Sequence, residues 1–213
     1  VLNDPLHDLI VQHGIRSLQD LKGKQVAVPA AGSTPEIQTR QFLRQSGLVP
    51  DRDVFVVPQA PTDTMGDRIR KFEEGIYAAL IASPPTPFLL QAKGYSSLTE
   101  LSGHFPGTAS HGLVATTTTI AERQPMVEAV VRGYVRGVTA LKEDREAALG
   151  FISAQFHLEA PLAARCYDLL RDRWTAGLSL ESLRTECEFQ ARNAGVDPIA
   201  PETITDGRFS GIR

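Results

Sequence analysis

Apolar positions fall into short runs in the front half of the chain and into helical stripes behind it. After the break at Gly23, Val26, Ala27 and Val28 form a compact run that predicts a buried parallel strand. PEIQTRQFLRQSG follows, with Ile37, Phe42 and Leu43 on one helical face and Gly47 as its stop. Residues 53–58 (DVFVVP) predict a second strand, residues 65–74 a helix ended by Gly75, and residues 77–82 (YAALIA) a third strand. After the SPP turn, residues 86–93 predict a short helix that stops at Gly94. Strand and helix alternating in this way is the signature of right-handed βαβ units, hence of a parallel sheet.

Behind this block the pattern changes. Residues 104–112 (HFPGTASHG) read as loop, and the β-branched run at 113–120 (LVATTTTI) predicts a return strand. Pro125 opens an amphipathic helix to about residue 142, marked by Val127, Val130, Val131, Tyr134, Val138 and Leu141. Helices are expected over 143–156, 160–175 and 179–195, followed by the tail DPIAPETITDGRFSGIR. Ahead of the βαβ block one strand is expected within residues 6–12.

Composition narrows the function classes. The net charge is −3 and basic residues are not clustered, which argues against a nucleic-acid partner. The apolar runs are strand-sized, well short of the ~20 residues that span a bilayer. The chain opens on VLNDPLHDLI, with neither an initiator Met nor a basic n-region and apolar h-region, so an upstream segment is expected to have been processed or left out. Cys166 and Cys187 make neither a zinc set nor a CxxC pair; they read as buried thiols, or as a disulfide if the protein is exported.

The strongest candidate for chemistry is the turn after the first βαβ strand, Gly32-Ser33-Thr34. Small residues there let a ligand approach the backbone, and a helix N-terminus favours polar oxygens or an anion. Ser33-x-x-Glu36 also fits a capping box, and an ordinary strand-to-helix cap would look the same. The second candidate is Ser83-Pro84-Pro85 after YAALIA, a hydroxyl beside a stiff apolar wall, or simply a helix-opening turn. Ligands of open α/β sheets collect at these carboxyl ends. Arg68 has the donors to reach an anion, or it belongs to a solvated charged face with Asp67, Arg70, Lys71, Glu73 and Glu74. Thr108, Ser110 and His111 sit in the loop before the return strand and are further ligand candidates. No GxSxG, GxxxxGK[ST], HExxH or GxGxxG occurs, and the five histidines lack metal spacing, so no enzyme, metal or cofactor is expected.

The order of segments carries a resemblance. SLQDLKGKQVAVPAAGST, RQFLRQSGLVPDRDVFVV, RIRKFEEGIYAALIASPP and GLVATTTTIAERQPMVEAVVRGYVRG follow one another as in the nitrate/sulfonate/taurine (NMT1/THI5-like) substrate-binding proteins of ABC importers. The resemblance runs from about residue 15 to 156. It implies an α/β fold of the type II periplasmic-binding-protein kind, bilobal, with a parallel-sheet lobe over 25–110. Residues 1–24 and 111–213 would be the remainder of the other, mostly helical lobe. It further implies a small polar or anionic organic ligand held between lobes, a permease partner, a periplasmic or extracellular membrane-associated setting, and membrane contact only through the transporter. The family's turn matches Gly32-Ser33-Thr34 and its strand-end contact region matches Ser83-Pro84. Tyr77 stands where the family often has an acid, so no acidic contact carries over. The family also has several elements ahead of the DLKGK segment, which implies that this chain is N-terminally incomplete. A ligand-sensing module of a regulator or receptor, or a pyrimidine-forming enzyme, are the alternatives on the same fold.

Overall fold

The structure is a computed structural model and describes residues 2–3 and 6–209. It divides into two compact units, Leu6–Pro106 and, together, Val1–Pro5 with Gly107–Arg213. The unit boundaries therefore fall at 6 and 106, where 25 and 110 were expected. Residues 6–24 belong with the sheet because they supply one of its strands.

The first strand, β1 (Leu2–Asn3), pairs outside that sheet. The sheet itself contains β2 (Asp8–Val11), β3 (Gln25–Val28), β4 (Phe55–Pro58), β5 (Ala79–Ala82) and β6 (Ser96–Glu100), in the order β4-β3-β5-β2-β6. β3 runs parallel to β4 and β5, as the βαβ pattern predicts. β2 corrects the all-parallel expectation: it lies between β5 and β6, antiparallel to both. It enters ahead of the first βαβ unit, and no crossover helix sets its direction. β6 was not expected, because SSLTE has no apolar run; its pairing with β2 supplies what its composition lacks.

Three helices link these strands: α1 (Thr34–Gln45), α2 (Met65–Glu73) and α3 (Thr86–Ala92). From β3 to β4 the chain steps one way along the sheet, and from β4 through β5 to β6 it steps the other way. Right-handed crossovers then place α1 on one face and α2 with α3 on the other. On the α2/α3 face the register sets Val57, Ala27, Leu80 and Ile10 side by side across four strands. That row packs with Phe72 of α2, Leu90 of α3 and Tyr77 as the buried core. Each such large side chain contributes about 1.5–3 kcal/mol through burial. The alternate positions Val26, Val28, Ile81 and Leu9 are equally buried and face the opposite way.

In the other unit, β1 pairs antiparallel with β7 (Ala109–His111). Five helices follow: α4 (Thr117–Glu122), α5 (Gln124–Glu143), α6 (Arg145–Phe156), α7 (Ala160–Leu170) and α8 (Leu180–Ala194). The return strand expected at 113–120 does not form. Leu113 and Val114 are exposed with no strand beside them, and β propensity is realised only through packing. Instead, the Thr116 hydroxyl accepts the Thr119 N–H and caps α4. Caps mark the later boundaries too: Asp144 accepts the Ala147 N–H, and Ser179 the Ser182 N–H. Tyr167 is the largest fully buried side chain of this unit, with Arg145 over its ring at 5.5 Å. Much apolar surface stays open, including Val130 and Phe151, and Phe151 lines a groove of about 300 Å³ between α5 and α6. No helix among the described residues is long and apolar enough to cross a membrane.

Candidate functional site

The carboxyl ends of β3 and β5 are neighbours, since Val26 pairs with Ala79 and Ala27 with Leu80. The chain leaves β3 for one face of the sheet and β5 for the other. Adjacent parallel strands whose connections diverge open a crevice at their carboxyl ends, where open α/β sheets hold ligands. The two turns singled out from the sequence, at 32–34 and 83–85, flank this crevice, on strands spaced about 4.8 Å apart.

The first turn closes through the Ser33 N–H, which donates to the Ala30 carbonyl at 3.1 Å. Gly32 has φ +75°, a conformation in which L side chains are strained, which is why a glycine fits here. Thr34 and Pro35 then open α1. The expected capping box does not form. Glu36 instead accepts the Gly32 N–H at 3.3 Å and pairs with Arg40, one turn further on. Arg40 also pairs with Asp51, and the Ser33 N–H is taken by the Ala30 carbonyl. The Ser33 hydroxyl is left enclosed and without a partner. A hydroxyl in that state is a ready donor and acceptor for a polar group entering the crevice.

At the second turn the Pro84–Pro85 bond is cis, and the Thr86 N–H donates to the Ser83 carbonyl at 3.1 Å, opening α3. Ser83, Pro84 and Pro85 are all half-buried. Because β2 is antiparallel, it brings its first residue to this same edge: Asp8 lies across from Ala82 on one side and Glu100 on the other. Ser97 donates its hydroxyl to Asp8 at 2.5 Å, and Ser102 donates to Glu100. These polar residues were not singled out from the sequence. Their signal was the polar His7-Asp8 pair between Leu6 and the apolar LIV, and it acquires meaning only once β2 is known to run antiparallel.

Arg68 is not part of a solvated face. It is 3% exposed, in the first turns of α2. Its Nη2 lies 2.9 Å from the Met65 sulfur, and its Nε and Nη1 have no partner. Burial pushes the guanidinium pKa down, and Tyr77 opposes that shift. No hydrogen bond joins Arg68 to either turn. Gln38, on α1, is fully buried with both amide atoms unpaired. Thr108 and His111 fall in the other unit, Thr108 buried and His111 exposed on β7; the side chain of Ser110 lies outside the described residues. Cys166 and Cys187 are free, and burial raises both thiol pKa values. Among the described residues, no group of three or more His, Cys, Asp or Glu is placed to hold a metal ion.

Comparison with solved structures identifies the fold. The ligand-binding component of an ABC-type import system from Staphylococcus aureus, with zinc bound, superposes with TM-score 0.77 at 11% identity, over 100% of this chain and 74% of that one. The alkanesulfonate-binding protein SsuA from Xanthomonas axonopodis pv. citri, bound to MOPS, gives TM-score 0.69 at 18% identity, over 96% and 68%. The desulfurization enzyme DSZB gives TM-score 0.63 at 16% identity, over 98% and 75%. The fold is that of the type II periplasmic binding proteins, and the chain spans about two thirds of the length of the sulfonate-binding structures it matches. No curated protein matches its sequence. The model of the NMT1/THI5-like proteins matches residues 1–148, and the chain belongs to that family.

Proposed function

We propose that this chain is the solute-binding component of an ABC-type importer. Its ligand is a small polar or anionic organic molecule of the sulfonate, taurine, nitrate or pyrimidine-precursor class. The ligand sits against the α/β unit at the crevice between the β3 and β5 ends. Gly32, Ser33 and Thr34 offer backbone and hydroxyl groups on one side, and Ser83 and Pro84 a hydroxyl and a rigid wall on the other. The observation that carries this reading is the Ser33 hydroxyl, enclosed and unpaired where two neighbouring strands send their connections to opposite faces. The importer setting, with a permease partner and a periplasmic or extracellular location, is supported by the family and by the likeness to the import-system component.

Isothermal titration with alkylsulfonates, taurine, nitrate and pyrimidine precursors tests the ligand class. Micromolar affinity corresponds to about 8 kcal/mol, and losing one satisfied hydroxyl contact removes roughly 0.5–1.5 kcal/mol of it. Ser33→Ala and Ser83→Ala are each expected to weaken binding by about two- to tenfold. Heat with none of these ligands overturns the class, and heat unchanged in both variants overturns the site. Likeness to DSZB, a mutant of which was crystallised with biphenyl-2-sulfinic acid, motivates a second reading as an enzyme, which measured turnover of that sulfinate would favour.

A further inference from the structure

We propose that the first turn of α2 is an oxyanion site, separate from the crevice, where Arg68 and the Met65 and Gly66 amides receive a sulfate-, sulfonate- or phosphate-type group. The charges around Arg68 are otherwise matched. Asp63 pairs with Lys71 at 2.6 Å, Asp67 and Glu74 with Arg70 at 3.4 and 3.1 Å, and Glu73 with Lys93. Arg68 is left with no carboxylate, two unpaired nitrogens and 3% exposure. Among the described residues, the one hydrogen-bond contact of the guanidinium is the Met65 sulfur, a weak acceptor, and this contact holds the group against the opening residue of the helix.

That end of α2 already carries partial positive charge from the helix dipole, so an unpaired cation there is doubly unfavourable. A single anion relieves both terms. The Thr64–Asp67 capping box satisfies the Asp67 N–H, and Asp67 in turn accepts from the Thr64 N–H and hydroxyl. The N–H groups of Met65 and Gly66 have no partner among the described residues. A planar guanidinium and two free amides carried by the same first turn suit an oxyanion with several acceptor oxygens. Met65, 41% exposed, covers the guanidinium, and its unbranched thioether can swing aside at little rotamer cost. Arg68 thus sits under a movable cover. The site does not depend on a ligand in the crevice.

Amide-resolved NMR with inorganic sulfate, at ionic strength balanced by chloride, reads the site directly. The expected result is a saturable shift of the Met65 and Gly66 amides that chloride does not produce. It should be at least about tenfold weaker in Arg68→Lys, which keeps the charge but loses the fork, and in Arg68→Met. Met65→Ala, which removes the cover, should tighten it. Ser33→Ala should leave it unchanged, so failure at the crevice and failure here are separable. No saturable shift in either the natural chain or Met65→Ala overturns the proposal. So does an undiminished shift in both Arg68 variants, or loss of the shift in Ser33→Ala, which would put the anion in the crevice.

Discussion

Replacing Arg68 by Met should make the ligand-free protein more stable. The substitution keeps an unbranched apolar stem in the same space and removes the buried charge. Two guanidinium nitrogens have no partner and the third meets only sulfur. A buried unsatisfied donor costs about 1–3 kcal/mol, and more when charged. Allowing for imperfect repacking, the net gain is set at about 2 kcal/mol. For a unit of about 100 residues, each kcal/mol moves the midpoint by roughly 4–8 °C, so a rise on the order of 10 °C is expected. The pH dependence follows from the direction of the shift. Burial lowers the folded-state pKa of Arg68 below the ordinary guanidinium range. A base shifted in this direction costs stability at every pH below its folded value, and the cost fades as pH rises through that value. The gain in Arg68→Met is therefore full below the lowered folded-state pKa and shrinks as the pH climbs from there toward the ordinary guanidinium range. Urea denaturation followed by circular dichroism at 222 nm, without sulfate or phosphate in the buffer, measures it. A loss of more than about 1 kcal/mol would show that the guanidinium has a partner in solution and would refute the reasoning.

Phe72→Ala should cost about 3–5 kcal/mol, because the ring is fully buried in the α2/α3 core and packs 4.8 Å from Tyr95; denaturant midpoints check this. Gly32→Ala should cost about 1–2 kcal/mol from backbone strain alone, since nothing lies within 4 Å of the added methyl; a clash would push the loss higher. Asp67, held by the Thr64 N–H and hydroxyl and by Arg70, has its pKa lowered to about 2 from 3.8. Its contribution is present above pH 4 and is lost as the pH falls towards 2, so Asp67→Asn should flatten acid unfolding across that window, as stability measured against pH will show.

The βαβ elements were legible because their residues carry the signal locally. VAV and ALIA are buried runs, VFVV buries Val54 and Val56, and Gly47, Gly75 and Gly94, all at positive φ, end the segments that follow them. What was not legible depended on partners distant in sequence. SSLTE becomes a strand only because β2 lies beside it, and LVATTTTI fails to become one because nothing does. The turns at 32–34 and 83–85 were legible as the ends of two apolar runs, and the sheet register sets those ends side by side. The state of Arg68 was not: a basic residue among five charged neighbours reads as solvated until α2 is seen to turn it inward.

The placement of β2 also sets an order of events in synthesis. It is the earliest strand of the sheet to leave the ribosome, yet both of its partners lie about 70–90 residues later in the chain. At about 5–20 residues per second, Asp8–Val11 waits roughly 4–18 s before Glu100 has been made. Until β5 has been made LIV has no partner strand, and its other edge stays open until β6 follows. Closing such long loops is slow even afterwards, because the entropy is lost before any contact repays it. During that interval the nascent chain is open to chaperones and to mispairing, and the last strand of this sheet to be synthesised, β6, ends it.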